Sequence, residues 1–223
     1  MPERRTTPFG LDKWFFCFLA GLLVGGFIIL TSEVREALAG EKELIGLIDQ
    51  TLLALAVEHR TPALNGVAVD ITALGSAAGL SILIGFVCLF FLLGGRRTAV
   101  AHMLLAAAGA AGLTAALKFY FERSRPDVSL RLVDVQGFSY PSGHSLASAA
   151  IYFTCAILVT KPFGEQPRRW LLWAFFLALI AAIGFTRIYL GVHFFSDVVA
   201  GIMLGIAWAS LVEFGMNRWN TRT

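Results

Sequence analysis

The chain has 223 residues, of which 57% are hydrophobic and only 15% are charged. A soluble domain usually contains about a quarter charged residues, so this composition excludes an ordinary soluble protein and favours an integral membrane protein. The formal net charge of +3 is too small to indicate a nucleic-acid-binding protein.

Six apolar runs are long enough, or nearly long enough, to cross a bilayer, which takes about 20 residues. We therefore predict an all-α membrane protein with six transmembrane helices, at residues 14–30, 73–93, 99–117, 143–160, 170–186 and 193–214. The fourth and sixth helices reach this length only if their polar first residues, Gly143 and His193, belong to them. A cleaved signal peptide ending near Ala39 is an alternative for the first run.

Lys and Arg residues are concentrated in segments that a six-helix threading puts on one side. Ten of the 18 basic residues lie there: Arg4, Arg5, Lys13, Arg96, Arg97, Lys161, Arg168, Arg169, Arg218 and Arg222. Basic loops usually face the cytoplasm, so both termini are predicted to be cytoplasmic. The opposite side then carries the loops at residues 31–72, 119–142 and 187–192.

The loop at residues 31–72 contains a helical repeat of apolar residues. Leu44, Ile48, Leu52 and Leu55 recur at helical spacing, whereas Asp49 lies off this stripe. The pattern predicts either an amphipathic helix in the membrane interface or an ordinary helix packed on the loops. Nothing in the composition indicates a second domain, so residues 1–223 are predicted to form one.

The three cysteines, Cys17, Cys88 and Cys155, all lie inside apolar runs. This placement favours small packing residues over a disulfide framework or a metal site.

Three ionisable residues interrupt the last two apolar runs. His193 and Asp197 are four residues apart, so on a helix they share one face. A carboxylate beside an imidazole fixes its tautomer and makes the other ring nitrogen a better base or nucleophile. Arg187 nearby indicates that the group under attack is an anion.

Two further polar stretches precede this one. Lys118 and Arg125 follow the third predicted helix, and Ser142, Gly143 and His144 open the fourth. Amide groups at a helix start bind anions, although Ser142 is also a typical helix cap and Lys118 a typical membrane anchor.

Together these residues predict phosphoryl transfer, in which catalysis consists mostly of positioning and charge neutralisation. His193 is the predicted nucleophile, oriented by Asp197, and His144 the acid and base. The predicted phosphate ligands are Lys118, Arg125, Arg187 and the amides of Ser142 and Gly143. No metal and no other cofactor is expected, because arginine and lysine already supply the positive charge.

The three stretches resemble the signature of the type 2 phosphatidic acid phosphatases, a family of lipid phosphate phosphatases. That signature is Lys-x6-Arg-Pro, Pro-Ser-Gly-His and Ser-Arg-x5-His-x3-Asp, and this chain matches it across residues 118–197. The resemblance implies a histidine nucleophile, a second histidine as acid and base, a helical core and no metal. The one departure is Thr186, where the family has serine.

The sequence thus predicts a bacterial inner-membrane lipid phosphatase with its active site on the periplasmic or extracellular side. The favoured substrate is undecaprenyl diphosphate. Alternatives are phosphatidylglycerol phosphate, phosphatidic acid and lipid A, or phosphate transfer between two lipids. A transporter is disfavoured, because the ionisable residues cluster at one membrane boundary rather than at mid-depth.

Overall fold

A computed structural model describes residues 14–40, 44–161 and 166–220 of the chain. These residues form α-helices and one 3₁₀ turn, with no β-strand among them. In chain order the helices are α1 (Trp14–Leu38), α2 (Leu44–Glu58), α3 (Pro62–Ala73), α4 (Ala77–Leu93), α5 (Arg97–Phe121), α6 (Gly143–Thr160), α7 (Arg168–Tyr189) and α8 (Phe195–Asn220). The predicted all-α fold is confirmed.

Five of the described helices are long and apolar enough to cross a membrane: α1, α5, α6, α7 and α8. The helix α4 has only 17 residues. It passes the same test only together with α3, to which it is joined by a bend of 46°. The described residues therefore contain five candidate spans, or six if this bent pair counts as one.

His193 does not belong to α8, contrary to the prediction that the sixth helix begins there. The helix begins at Phe195 and gains its length at the other end, at Asn220. The reason is a cap at its start: the main-chain N–H of Phe194 donates to Asp197 Oδ2 at 2.9 Å. An acidic side chain in the first turn that reaches back to this position is a common helix-start arrangement.

The loop predicted at residues 31–72 is mostly helical. The first span continues to Leu38, and α2 and α3 follow it. In the predicted apolar stripe of α2, Leu44 is 68% and Leu55 46% exposed, whereas Ile48 and Leu52 are partly buried. The face of α2 that packs on the bundle instead carries Asp49, Leu53 and Ala56.

The helix α6 forms the centre of the bundle, and nearly all of its residues are buried. Two glycines of α8, Gly201 and Gly205, lie directly against its backbone. A Cβ atom at Gly201 would sit 2.6 Å from the carbonyl oxygen of Ser142, and one at Gly205 would collide with the carbonyl oxygen of Leu146. Small residues allow such close helix contact in membranes. This contact brings the start of α8 beside the start of α6.

The predicted motif residues all lie at one end of the bundle, because α5 and α7 end there and α6 and α8 begin there. At the opposite end, Lys161 donates to the buried Glu213 at 2.8 Å, and Arg218 lies over the ring of Trp14. The basic residues Arg4, Arg5, Lys13 and Arg222 lie outside the described residues. The predicted site residues therefore lie at the other end of the helices from the basic residues Lys161 and Arg218.

Candidate active site

The side chain of His193 is held between a carboxylate and a guanidinium. Its Nδ1 lies 3.2 Å from Asp197 Oδ2, and its Nε2 lies 3.0 Å from a terminal nitrogen of Arg125. Because a guanidinium can only donate, Nε2 must accept and the ring proton must sit on Nδ1. The predicted pairing of His193 with Asp197 is thus present in the structure, and the nitrogen that faces Arg125 carries the lone pair.

Burial lowers the pKa of His193 from its ordinary 6.5 to about 4. The cause is removal of the imidazolium from water, since His193 is only 2% exposed, and Asp197 only partly opposes it. A lowered pKa means that the ring loses its proton at lower pH. His193 is therefore neutral at neutral pH, as a nucleophile must be.

The second oxygen of Asp197 binds Arg123, a residue that the sequence did not single out. Asp197 Oδ1 accepts from Arg123 at 2.6 Å. The same guanidinium donates to Ser196 Oγ at 2.7 Å and to Asp49 Oδ2 at 2.8 Å. Both Arg123 and Asp49 are buried, so this cation lies inside the protein and not in solvent.

Arg125 is held over the site by main-chain carbonyl groups. It donates to the carbonyl oxygens of Val192 and Gly137, both at 2.8 Å, and to that of Gln136 at 3.3 Å. None of these partners carries a charge. Its positive charge therefore stays available to an anion near His193.

Arg187 is buried in the last turn of α7 and is 3% exposed. It donates to Thr72 Oγ1 at 2.7 Å, while its Nε has no hydrogen-bond partner among the described residues. A buried guanidinium with an unpaired N–H group suits an anionic ligand, because such a group is costly to leave unsatisfied. Asp197 pairs with Arg123 and not with Arg187. The phosphate-binding role predicted for Arg187 requires that Arg187 is not paired with this carboxylate.

Lys118 and His144 complete the cationic side of the site. Lys118 lies in the last turn of α5 and donates to the carbonyl oxygen of Phe138 at 2.8 Å. His144 lies in the first turn of α6. It interacts electrostatically with Arg187, His193, Lys118 and Arg125. The structure therefore brings both predicted histidines and the three predicted cations into one cluster.

The predicted use of Ser142 as a phosphate ligand needs correction. Its main-chain N–H donates to the carbonyl oxygen of Asp197 at 2.9 Å. Its hydroxyl accepts from the N–H of Ser145, so the side chain caps α6. Ser142 thus joins α6 to α8, and of the two predicted amides only that of Gly143 remains as a candidate anion ligand.

Gly143 itself needs its small size. A Cβ atom there would lie 3.0 Å from Thr114 Cγ2 and 3.8 Å from Lys118 Cε. The contact with Lys118 would be an ordinary one, whereas the contact with Thr114 would be tight, so the missing side chain lets the start of α6 pack closely on Thr114 of α5.

An apolar groove of about 710 Å³ opens beside the site, between α2, α3, α7 and α8. Its walls include Thr186 and Phe195, the chain neighbours of Arg187 and Ser196. The Thr186 hydroxyl donates to the carbonyl oxygen of Ile183 at 2.7 Å, inside its own helix. The volume falls within the roughly 300–1,000 Å³ of typical ligand sites.

Within the described ranges, no three His, Cys, Asp or Glu side chains converge as metal ligands would. The expectation of a reaction without metal remains a prediction.

Comparison with known proteins matches the part of the chain that contains the predicted motif residues. The sequence model of the family described as the PAP2 superfamily matches residues 99–220. Phosphatidylglycerophosphatase B of Bacillus subtilis (strain 168) is 34% identical over 193 residues, which cover 84% of this chain and 89% of that protein. Undecaprenyl-diphosphatase of Sulfolobus acidocaldarius is 36% identical over 78 residues, which cover 34% of this chain and 32% of that protein.

A solved structure shares the fold. It is the crystal structure of a transmembrane PAP2 type phosphatidylglycerolphosphate phosphatase from Bacillus subtilis, with a TM-score of 0.79 and 30% sequence identity. The alignment covers 92% of this chain and 97% of that one. The likeness therefore includes α1 to α4, which lie outside the family match.

Proposed function

The chain belongs to the PAP2 superfamily, and we propose that it hydrolyses the phosphate monoester of phosphatidylglycerol phosphate. It is a multi-pass membrane lipid phosphatase, a hydrolase that acts on phosphate esters. One observation carries the proposed chemistry: His193 Nδ1 lies 3.2 Å from Asp197 Oδ2, and its Nε2 lies 3.0 Å from the guanidinium of Arg125.

In the proposed reaction, Nε2 of His193 attacks phosphorus and forms an N–P bond. The bond from phosphorus to the lipid oxygen breaks, and His144 donates a proton to that oxygen. His144 then takes a proton from a water molecule, whose oxygen attacks phosphorus and releases phosphate from His193. Lys118, Arg125 and Arg187 neutralise the charge on the phosphate oxygens throughout.

The substrate favoured from sequence, undecaprenyl diphosphate, gives way to phosphatidylglycerol phosphate. The relative named for undecaprenyl diphosphate matches only a third of this chain, whereas the phosphatidylglycerophosphatase matches 84% of it. The apolar groove between α2, α3, α7 and α8 suits the acyl chains of phosphatidylglycerol phosphate and the polyprenyl chain of undecaprenyl diphosphate alike. The preference for phosphatidylglycerol phosphate therefore rests on the extent of the resemblance.

We predict that the purified protein releases phosphate from phosphatidylglycerol phosphate with a kcat/KM at least about tenfold above that for the competing lipids, a difference of about 1.4 kcal/mol. The measurement is phosphate release in mixed micelles at equal surface concentration. The panel contains undecaprenyl diphosphate, phosphatidic acid and lipid A. The His193→Asn variant serves as the blank. A higher kcat/KM for undecaprenyl diphosphate would return the substrate to that lipid.

Diacylglycerol, added as a possible acceptor, separates hydrolysis from transfer between lipids, because its phosphorylated product, phosphatidic acid, differs from the substrate. Hydrolysis gives labelled inorganic phosphate in the presence of any acceptor. Label that appears only on an acceptor lipid would contradict hydrolysis.

We further propose that the site end of the bundle faces the periplasm or the extracellular side of a bacterial inner membrane. The distribution of basic residues supports this orientation. In intact spheroplasts, an impermeant thiol reagent should label Val128→Cys, an exposed position beside the site, and spare Arg96→Cys at the opposite end. The parent protein controls for its own cysteines, and labelling of Arg96→Cys alone would reverse the orientation.

A further inference from the structure

A buried polar network joins α2 to the carboxylate of Asp197. Asp49, in the middle of α2, is 1% exposed, and Arg123, which follows α5, is 8% exposed. Arg123 lies between the two carboxylates and donates to Asp197 Oδ1 at 2.6 Å and to Asp49 Oδ2 at 2.8 Å. Asp49, which precedes Asp197 by 148 positions in the chain, is thus linked to the Asp197 carboxylate through two hydrogen bonds of Arg123.

The network leaves its members little freedom. Ser196 donates to Asp49 twice, from its main-chain N–H to Oδ1 at 2.8 Å and from its hydroxyl to Oδ2 at 2.6 Å. The guanidinium of Arg123 also lies 4.6 Å from the centre of the Phe194 ring. Because Phe194 and Ser196 directly precede Asp197 at the start of α8, Asp49 fixes both the cation and the chain segment that carries Asp197.

The charges of the network predict opposite electrostatic effects for the loss of Asp49 and the loss of Arg123. A buried carboxylate is stable only when it is paired and hydrogen-bonded. Here two carboxylates share one guanidinium, so one negative charge is left over, next to the ring N–H of His193. Removing Asp49 would leave Arg123 to neutralise Asp197 fully, whereas removing Arg123 would leave two buried anions together.

We propose that Asp49 and Arg123 are positioning residues of the phosphatase reaction: they hold the Asp197 carboxylate against His193 and set its effective charge. This inference rests on the proposed role of His193 as nucleophile. It makes α2, a helix outside the six candidate spans, a part of the active site. Neither residue contacts the cations proposed to hold the phosphate, so both act through Asp197.

The two residues carry opposite charges and should shift the pH dependence in opposite directions. The acid limb of kcat/KM reports the pKa of the free base. In Asp49→Asn, Arg123 is less neutralised, the imidazolium is disfavoured, and the limb moves to lower pH. In Arg123→Gln, the anions are unneutralised, the imidazolium is favoured, and the limb moves to higher pH. The other groups that interact with His193 are unchanged in both variants: Asp197, Arg125, Arg187 and His144, which itself interacts with Lys118.

The experiment measures kcat and KM for phosphatidylglycerol phosphate across the pH range in which the detergent-solubilised protein stays monodisperse. We expect kcat to fall about tenfold in Asp49→Asn and about a hundredfold in Arg123→Gln, by analogy with the partners that orient metal-binding histidines. KM should stay nearly constant. Asp70→Asn is the matched control, because Asp70 is an exposed acid on the neighbouring α3.

Two conservative variants keep the test decisive if Arg123→Gln does not fold. Arg123→Lys retains the positive charge but not the guanidinium that donates to both Asp49 and Asp197. The acid limb of its kcat/KM profile should therefore stay at the wild-type pH while kcat falls. Asp49→Glu should recover part of the activity lost in Asp49→Asn. Equal kcat losses with unmoved acid limbs would indicate a purely structural role and overturn the inference.

A result that matches the Asp70→Asn control in all four variants would also overturn it. The His193→Asn variant separates this failure from a failure of the proposed mechanism. If His193→Asn is inactive while the network variants behave as the control, only the positioning role is wrong. If His193→Asn is active, the mechanism itself is wrong.

Discussion

Replacing His193 by asparagine should lower phosphate release by about ten-thousandfold or more, because the attacking nitrogen is lost. At about 1.36 kcal/mol per factor of ten, this is about 5.4 kcal/mol of transition-state stabilisation. Asparagine is chosen because its side-chain amide can still donate to Asp197. The network around Arg123 therefore keeps its partners, and the protein should remain folded.

The measurement combines two readouts on the same preparation. Phosphate release gives the rate, and rapid acid-free quenching after mixing with lipid labelled in its phosphate gives the covalent intermediate. Wild-type protein should carry an acid-labile label, as a phosphorus–nitrogen bond requires, and His193→Asn should carry none. Asp70→Asn should match wild type in both readouts. An acid-labile label on His193→Asn would show that another residue is the nucleophile.

The predicted site residues that lie together in the structure come from compact local motifs. His193 and Asp197 are four residues apart, and their side chains meet at 3.2 Å in the structure. However, the predicted reason was wrong, because His193 precedes α8 instead of lying on it. Asp197 reaches back to the start of the helix and holds the preceding segment. Spacing alone does not distinguish a helical pair from this capped turn.

Asp49 could not be found from the sequence, because its partners come from distant parts of the chain. The apolar stripe of α2 also did not mark the face that carries Asp49. In a soluble protein, an apolar stripe marks the side that packs on the core. In a membrane, lipid tails are as apolar as leucine, so the stripe can equally face outward. Leu44 and Leu55 do so, and the polar Asp49 faces inward.

Arg123 was overlooked for a related reason. It lies between Lys118 and Arg125 in a basic segment, where a solvated side chain is the usual outcome. Its burial follows from the two carboxylates that it joins, and one of these, Asp49, belongs to another helix. The sequence could therefore predict the cluster of cations around His193, but not the buried ion pairs that join this cluster to α2.

Replacing His144 by glutamine should separate the two chemical steps, because His144 has a different task in each. With phosphatidylglycerol phosphate, loss of the proton donor should reduce phosphate release by about a hundredfold to ten-thousandfold. An aryl phosphate releases a phenolate, which leaves without needing a proton. The first step should therefore survive with that substrate, whereas the second still needs a base to activate water.

The expected result is a burst of about one phenol per protein molecule, followed by slow turnover, with phosphate retained on His193. Stopped-flow absorbance measures the burst, and the acid-labile label measures the intermediate. The double variant His144→Gln with His193→Asn should show neither. The position of His144 supports this division of labour, since it lies in the first turn of α6 and interacts with both His193 and the three cations. Equal losses with both substrates and no trapped phosphate would instead make His144 a phosphate ligand, and the proton would then have to come from another group.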